Sequence, residues 1–418
     1  MGKTYLVGKI GKSIKFNPST WSGLGGDVEL PSLLLGIAKQ NPEDNFIIIG
    51  RNDIGKLNNA PKNLIDCATL YNQMKGTTGM KMPVTYIWDT LKDIKIDGCF
   101  LAGGPTGSTN LIDKALKRNP LKEGIHEFAK TLEMHMNYSG PIYHFLNESQ
   151  IPWVMLAQDP RYMKMGRDCL NLPKKILSQY DEDILIKTLK SFEDQEELQE
   201  TTIKATYAEM EKMYLIGRNI ERDATKFDKT KKLLVVLNEG NNGVKSRYPA
   251  VKEFILNHID DVEIYGKWDP ETIKDDTRFK GTVPFMDLQE MLPSVKYTFI
   301  IPIKEGWVTM KVWEMIANGI IPFFHPDYDK QKHLKVPDFL RVKNSKELHE
   351  RIEQLEANPD KRIKLVNLLL SLITEDDISG KNLSNIIFNE VNKYEIDNTN
   401  KIEFVAPEPD DEIDDEEW

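Results

Sequence analysis

The chain has few cysteines and no recognisable set of metal ligands. Its three cysteines, Cys67, Cys99 and Cys169, stand far apart in 418 residues and form no C-x-x-C pair. This spacing argues against a disulfide framework and against a zinc site, so we interpret all three as packing residues. The histidines show no H-E-x-x-H or other ligand spacing, and we assign no metal site.

Long apolar runs are also missing. No run approaches the roughly eighteen apolar residues that a membrane-spanning helix needs. The first residues, "MGKTYLVGKIGKSIKF", lack the continuous apolar segment and the small-residue cleavage site of a signal peptide. The sequence therefore predicts a cytoplasmic protein with no membrane partner.

Acidic side chains outnumber basic ones, 65 to 55. The formal net charge of −10 argues against a polyanionic partner, because phosphate binding draws on Lys and Arg. However, eight acidic side chains lie in "EPDDEIDDEEW" (408–418), and subtracting them from −10 leaves about −2 for the rest. We predict that residues 401–418 form an acidic disordered tail. The alternative is that the tail competes with a polyanion for a basic groove.

Short apolar runs alternate with helical patterns along the chain, as expected for parallel sheets built from βαβ units. These runs fall into two sets of predicted strands. The first set is "TYLVG" (4–8), "FIIIG" (46–50), "VTYIW" (84–88), "GCFLAGG" (98–104) and "PWVMLAQD" (152–159); the second is "KLLVVLNEG" (232–240), "VEIYG" (262–266), "YTFIIPI" (297–303) and "IIPFF" (320–324).

These two sets predict an α/β protein with two Rossmann-like, doubly wound domains that face a cleft. Residues 181–232 are charged, helix-prone and poor in Gly and Pro, which indicates the approach to an interdomain linker. The predicted units are a first domain over 1–227, a second domain over 228–375, a C-terminal helix over 376–400 that could pack back on the first domain, and the tail over 401–418.

The stretch "GWVTMKVWEMIANG" (306–319) lies between two of the predicted strands. Lys311 and Glu314 are three residues apart, so they share one face of a helix close to its start. A carboxylate there can accept hydrogen bonds from ribose hydroxyls, and the ammonium adds positive charge beside the helix amides that bind phosphate. The alternative is a surface ion pair of little energetic value. Gly319 is predicted to end the helix.

A second candidate is the loop "LNEGNNGVKSR" (237–247), which follows the first strand of the second set. Gly240, Asn241 and Gly243 permit a close approach of the backbone to a ligand, and Lys245 and Arg247 supply cations just beyond. The loop matches neither G-x-G-x-x-G nor a Walker motif, so an ordinary turn and a phosphate-binding loop both stay open.

Two further stretches carry acidic side chains beside predicted elements. In "WSGLGGDVELPSLLLGIAKQ" (21–40), Asp27 is interpreted as a helix cap, and Glu29 as either a cap or a group that binds sugar hydroxyls. Asp159 closes a buried strand and is followed by Pro160, where a carboxylate could take a proton from an attacking hydroxyl. A local basic patch follows it, formed by Arg161, Lys164, Arg167, Lys174 and Lys175. A turn aspartate beside a solvated basic face is the alternative.

Together these stretches resemble the DNA β-glucosyltransferases of T-even bacteriophages, GT-B enzymes that transfer glucose from UDP-glucose to 5-hydroxymethylcytosine in duplex DNA. The resemblance is clearest over 232–372 and rests in the first half on the Asp159–Pro160 region and the loop and helix over 25–39. It implies a GT-B fold, a UDP-sugar donor, a double-stranded DNA acceptor with a hydroxymethylated base, and the cytoplasm of an infected host cell.

The resemblance also implies residue roles. It makes Asp159 the general base, Glu314 the acid on the UDP ribose, Lys311 the cation on the diphosphate where the family has an arginine, and Gly240 and Arg247 part of the phosphate-binding loop. Asn241 and Lys245 belong to the same loop, and Glu29 with Asp27 would lie near the donor sugar. The patch from Arg161 to Lys175 would hold the DNA backbone.

Two departures leave the substrates open. Lys311 replaces a planar, bidentate donor by a point charge, and Gly243 stands where the family has a second arginine. The alternatives are a different sugar such as arabinose, a glycan or small-molecule acceptor, and a non-catalytic binding protein. Assistance by a divalent ion such as Mg²⁺ or Mn²⁺ also stays open, because no D-x-D ligand set is placed.

Overall fold

The structure is a computed structural model that describes residues 2–10, 13–18, 28–76, 86–103, 140–157, 171–190, 204–240 and 246–398. Two parallel β-sheets with helices packed against them organise these residues. The first sheet lies in the first half of the chain and the second sheet in the second half, so the predicted α/β class is confirmed.

The first sheet has seven strands, and every strand pair in it is parallel. The spatial order is β3-β2-β1-β4-β5-β6-β7. The strands are β1 (Thr4–Lys9), β2 (Asn45–Ile49), β3 (Leu64–Asp66), β4 (Gly98–Ala102), β5 (Val154–Ala157), β6 (Lys175–Ser178) and β7 (Ala205–Tyr207). The described helices of this half are α1 (Glu29–Gln40), α2 (Cys67–Lys75), α3 (Tyr86–Leu91), α4 (Gly140–Ser149) and α5 (Glu182–Lys190).

The second sheet has five strands, again all parallel, in the order β10-β9-β8-β11-β12. The strands are β8 (Lys231–Val236), β9 (Val262–Tyr265), β10 (Phe279–Gly281), β11 (Val295–Ile300) and β12 (Ile321–Phe324). The helices are α6 (Tyr248–Val251, continued by a π-helical turn over Lys252–Leu256), α7 (Pro270–Ile273), α8 (Phe285–Met291), α9 (Lys311–Ala317), α10 (Ser345–Glu356), α11 (Pro359–Ser371), α12 (Glu375–Ser379) and α13 (Lys381–Val391).

The central strands are apolar along their whole length because both faces of each sheet are covered. Tyr5 and Val7 of β1 face one hydrophobic cluster, whereas Leu6 faces another on the opposite side of the sheet. In the second sheet, Leu233 and Leu234 of β8 divide between two clusters in the same way. This two-sided burial explains why short apolar runs in the sequence predict most of the strands.

One predicted strand is wrong. The run "VTYIW" over 84–88 leads into helix α3, which begins at Tyr86. A short apolar run by itself does not distinguish a buried strand from a buried helical turn. Ile87 and Leu91 lie four residues apart and are both buried, which is the spacing of one helix face.

The charged segment over 181–232 is not simply an exposed linker. It contains α5 and the edge strand β7, and its 3₁₀ turn over Met210–Leu215 is buried at all six positions. This turn packs against α1 of the first half and α9 of the second half. The crossing between the two halves is therefore a buried joint, in which even Glu211 and Lys212 lose almost all contact with water.

The last helix, α13, returns to the first sheet. Leu383, Ile387 and Val391 lie in the cluster that contains Tyr5, and the ring of Phe388 is 4.8 Å from the ring of Tyr5. The predicted limits of the domains stay predictions. None of the helices in the described ranges combines the length and the apolar composition needed to cross a membrane.

Candidate functional site

The two halves meet through the loops that follow β6, β11 and β12. The ring of Tyr180, just after β6, is 5.3 Å from the ring of Trp307, which precedes α9. The Oδ2 atom of Asp181 is 2.7 Å from Nε2 of His333, and the ring of Tyr207 stacks on His333 at 3.9 Å. The carboxyl ends of parallel strands, where α/β proteins bind their ligands, therefore face one another at this joint.

The turn into α9 depends on a glycine. Gly306 has φ +79°, and a Cβ atom there would lie 2.7 Å from Cδ1 of Ile184 in α5. A side chain at this position would combine an unfavourable backbone with a steric clash. At the other end of α9, Gly319 has φ +66° and lies against the ring of Phe227, so it ends the helix as predicted.

The first amides of α9 are already used within the turn. The N–H groups of Val312 and Trp313 donate to the carbonyls of Thr309 and Met310, at 3.3 and 3.0 Å, and that of Glu314 also donates to Met310 at 3.0 Å. These three amides are therefore not free for an anion. Positive charge at this end of the helix comes from the side chain of Lys311.

Lys311 and Glu314 form an ion pair, and the carboxylate is deeply buried. The Nζ atom of Lys311 contacts Oε2 of Glu314, whose side chain is 1% exposed, while the lysine keeps 23% of its side-chain surface. A surface pair of this spacing has little energetic value, whereas a buried carboxylate depends on its partners. The two side chains share one helix face, as their spacing predicts, and the surface-pair alternative does not describe Glu314.

A second partner holds the other carboxylate oxygen. Nε2 of Gln289, in α8, donates to Oε1 of Glu314 at 2.7 Å. Oη of Tyr214, in the buried joint, donates to Oε1 of Gln289 at 2.6 Å. Burial is the main cause that raises the pKa of the Tyr214 hydroxyl, and the negative charge of Glu314 adds to it. The hydroxyl therefore stays protonated and available as a donor.

The loop after β8 is fastened at its base. Oε1 of Glu239 accepts from the hydroxyl of Ser246 at 2.7 Å, and Oε2 accepts from the backbone N–H of Asp269 at 2.8 Å. The side chain of Asn238 accepts from the N–H of Lys267 at 2.7 Å. Hydrogen bonds from three backbone or hydroxyl groups thus set where this loop leaves and rejoins the second sheet.

The predicted cations of this loop are placed only in part. Arg247 lies directly before α6, half-buried, and its N–H donates to the carbonyl of Glu239 at 2.8 Å. Gly240 follows Glu239 at the other end of the loop. Asn241 and Lys245 lie outside the described residues. Because the 239–247 hydrogen bond closes the loop, Gly240 and Arg247 lie on the same side of the second sheet.

The start of α1 lies at the joint between the halves. Val28 precedes the helix without a side-chain cap and belongs to the same hydrophobic cluster as Met310 and Trp313. Glu29, the first residue of α1, is 6% exposed. Asp27 lies outside the described residues, so its capping role stays a prediction. Glu29 is therefore a buried acidic group of the first half, directly after the residue that joins this cluster.

Of the predicted basic patch, only Lys174 and Lys175 lie in the described residues. Lys174 and Lys175 stand at the beginning of β6, and Lys175 is paired with Val154 at the start of β5. The carboxyl end of β5, which leads to Asp159, is three residues further along the strand, or about 10 Å away. The remaining members of the patch, Arg161, Lys164 and Arg167, lie outside the described residues together with Asp159.

The structure adds three residues that the sequence did not single out: Gln289, Tyr214 and Glu239. Gln289 lies in an ordinary amphipathic helix, and Tyr214 in a segment with the composition of a linker. Glu239 stands inside the loop over 237–247, but no spacing rule marks it. Cys67 and Cys99 are fully buried, in agreement with a packing role. Within the described ranges no group of three His, Cys, Asp or Glu side chains is arranged to hold a metal ion.

Two Rossmann-like parallel sheets whose carboxyl edges face each other define the GT-B architecture of glycosyltransferases, and the chain has this fold. No family model matches the chain, and no curated protein matches it. Solved structures do match, and they match over almost the whole chain.

One is a T4 phage BGT mutant in complex with UDP-glucose, with a TM-score of 0.57 and 13% identity over 93% of this chain and 99% of the other. T4 phage BGT in complex with UDP and Mn²⁺ has a TM-score of 0.54 and 14% identity over the same shares. An alpha-glucosyltransferase in complex with UDP and a 13-mer DNA containing an HMU base has a TM-score of 0.50 and 11% identity, over 93% of this chain and 100% of the other. At these identities the similarity establishes the fold.

Proposed function

We propose that the protein is an inverting glycosyltransferase that transfers a sugar from a UDP-sugar to the hydroxymethyl group of 5-hydroxymethylcytosine in DNA. The observation that carries the proposal is the buried carboxylate of Glu314 paired with Lys311 at the joint between two GT-B domains. Proteins of the same fold are described in complex with UDP-glucose and, in one case, with UDP and DNA. The sugar is glucose or another sugar such as arabinose.

In this proposal the second domain holds the donor. Glu314 accepts hydrogen bonds from the ribose hydroxyls, and Lys311, Arg247, Lys245 and the Gly240–Asn241 backbone bind the diphosphate. Glu29 and Asp27 face the donor sugar from the first half. Cations preorganised around the diphosphate stabilise the charge that develops on the leaving UDP, which is usually the largest contribution to catalysis of this kind.

The acceptor approaches from the first half. Asp159 takes the proton of the hydroxymethyl group while its oxygen attacks the anomeric carbon from the face opposite UDP, so the C–O bond to UDP breaks as the new one forms. A base inside a duplex is out of reach, so the nucleotide has to turn out of the stack. The candidates for binding the DNA backbone are Arg161, Lys164, Arg167, Lys174 and Lys175. Of these, Lys174 and Lys175 lie at the amino end of β6, the end of the strand opposite to the joint.

The part played by a divalent ion is a separate question for the same assay. Mn²⁺ accompanies UDP in one structure of the same fold. The described residues of this chain include no group of three His, Cys, Asp or Glu side chains for such an ion, so we assign no ligand to Mg²⁺ or Mn²⁺. Transfer measured with EDTA, with Mg²⁺ and with Mn²⁺ decides whether an ion assists the departure of UDP.

The decisive experiment presents the full-length protein with duplex DNA containing 5-hydroxymethylcytosine and a panel of UDP-sugars, and then weighs the nucleosides after digestion. A mass increase of one sugar on the modified cytosine is expected for one donor. Unmodified DNA is the matched control. UDP release without a heavier nucleoside would contradict the DNA acceptor, and no UDP release with any acceptor would favour a non-catalytic binding protein.

A further inference from the structure

The contact between Gln289 and Glu314 fixes a direction of hydrogen bonding. An ionised carboxylate only accepts, so the group that Gln289 directs at Oε1 of Glu314 must be its NH₂ group. The amide oxygen then points the other way, toward Tyr214, whose hydroxyl lies 2.6 Å from it. Tyr214 is therefore the donor in that bond. The negative charge of Glu314 therefore sets the donor-to-acceptor direction of both hydrogen bonds, from Tyr214 to Gln289 and from Gln289 to Glu314.

The two ends of this hydrogen-bonded series, Tyr214 and Glu314, are buried. Tyr214 is 2% exposed, and its ring is covered by the guanidinium of Arg218 at 4.7 Å. The side-chain amide of Asn318, at the end of α9, donates to the backbone carbonyl of Glu314 at 2.9 Å. Gln289 on α8 thus links the carboxylate on α9 to Tyr214 in the buried joint.

The two partners of Glu314 differ in how freely they can leave. Lys311 is partly exposed and lies one helical turn from Glu314, so a diphosphate could draw its ammonium away from Oε2. Gln289 is uncharged, gains nothing from an anion, and is tied to Tyr214. Loss of the Lys311 contact would still leave one carboxylate oxygen held by a hydrogen bond from a neutral donor.

We propose that Gln289 is a positioning residue that orients the carboxylate of Glu314 toward ribose hydroxyls, and that Tyr214 positions Gln289. This inference rests on the proposed function, since it presumes a nucleotide with a ribose at Glu314. It adds a residue on α8 and one in the buried joint to the recognition of the donor. The effect of both residues on affinity then depends on the 2′- and 3′-hydroxyls of the nucleotide.

The test measures the affinity of the full-length protein for UDP and for 2′,3′-dideoxyuridine diphosphate by calorimetry. The wild type, Gln289→Ala, Gln289→Met and Tyr214→Phe are compared, with the exposed Gln354→Ala as the matched control. We expect the two Gln289 variants to lose about tenfold in UDP affinity and Tyr214→Phe to lose severalfold, in keeping with a hydrogen bond to a charged group. Affinity for the dideoxy compound should stay within about twofold of wild type in every variant.

The outcomes separate the inference from the proposed function. A wild type that does not bind UDP overturns both. A wild type that binds UDP but binds the dideoxy compound equally well overturns the inference alone, as do Gln289 variants that bind UDP normally or lose affinity for both compounds equally. Thermal unfolding of each variant identifies a general loss of folding, in which case Tyr214→Phe, which removes a single oxygen, decides the question.

Discussion

The side-chain amide of Gln179 donates a hydrogen bond of 2.9 Å to the backbone carbonyl of Val308. Gln179 directly follows β6 in the first half, and Val308 lies in the turn before α9 in the second. Both residues are buried, so the carbonyl has no access to water if the amide is removed. The first half of the protein thus fixes the turn that presents Lys311 and Glu314.

Replacing Gln179 by Ala should therefore destabilise the protein and loosen this turn. An unpaired buried carbonyl costs about 1–3 kcal/mol. We expect a lower free energy of unfolding in urea and a weaker affinity for UDP, whereas Gln354→Ala, on an exposed face of α10, should change neither. Unchanged stability of Gln179→Ala would show that this contact does not hold the two halves together.

Lys311→Ala should be far more harmful than the loss of an ordinary helix ion pair. It leaves Glu314 with a single partner, and removing one member of a buried pair costs about 3 kcal/mol or more. Lys346→Ala, in the exposed pair with Glu350, is the matched control and should cost under about 1 kcal/mol. Urea unfolding at neutral pH measures both.

The same variant should lose at least about tenfold in affinity for UDP, because a charge-assisted contact to the diphosphate is removed. Lys311→Arg keeps the charge and should retain most of that affinity. If Lys311→Ala lost stability but bound UDP like the wild type, the lysine would serve Glu314 alone and would have no role on the diphosphate.

Glu239→Ala should weaken donor binding with little effect on global stability. Its carboxylate holds Ser246 and the N–H of Asp269, and thereby both ends of the loop over 239–247. A loop that must be ordered on binding lowers affinity by the entropy of ordering it. We expect a severalfold weaker UDP affinity and a normal melting temperature, with the exposed Glu271→Ala as control. Equal UDP affinity in both variants would contradict a role for the Glu239 anchor.

Asp159→Ala tests the proposed base. Loss of a general base lowers the rate by about a hundredfold or more, while the donor site in the second half stays intact. Sugar transfer to hydroxymethylated DNA should therefore disappear while UDP binds with unchanged affinity. Asp275→Ala, a replacement of an exposed carboxylate, should transfer normally. Full turnover by Asp159→Ala would remove this residue from the role.

Most of the fold is predictable from the sequence because parallel strands buried on both faces appear as apolar runs, such as "FIII" in β2 and "YTFI" in β11. The strands β3, β6, β7 and β10 escape prediction because "LID", "KILS", "ATY" and "FKG" are short and partly polar, and only their pairing with neighbouring strands makes them part of a sheet. The run "VTYIW", which overlaps α3, is predicted as a strand because a run of this length fits a buried strand as well as a buried helical turn.

The site is predictable only where its residues are close in sequence. The spacing of Lys311 and Glu314 is enough to place them on one helix face. Their burial and the hydrogen bond from Gln289, which lies 25 residues earlier, depend on how α8 packs beside α9. Charge composition also misleads: Glu211 and Lys212 belong to a charged segment, yet tertiary packing buries both.

The burial of Glu211 predicts that the stability of the protein depends on pH. Removal from water raises its pKa to about 8, and the nearby Glu209 adds to the rise, while its own backbone N–H, the Tyr207 hydroxyl and Lys212 oppose it. Between the ordinary pKa of a glutamate and about 8, the folded state binds a proton that the unfolded state has released. The contribution of Glu211 to stability therefore falls as pH rises through this window.

Glu211→Gln cannot ionise and should remove this loss. Relative to wild type, the variant should gain about 1.4 kcal/mol of unfolding free energy for each pH unit within the window, and the difference should level off above about pH 8. Urea unfolding at several pH values between 5 and 9 measures it, and Glu271→Gln, which changes an exposed glutamate, gives the baseline. Parallel stability curves for Glu211→Gln and the wild type would mean that Glu211 is already ionised in the folded protein at neutral pH. The attraction of its carboxylate to Lys212 would then outweigh the cost of burying the charge.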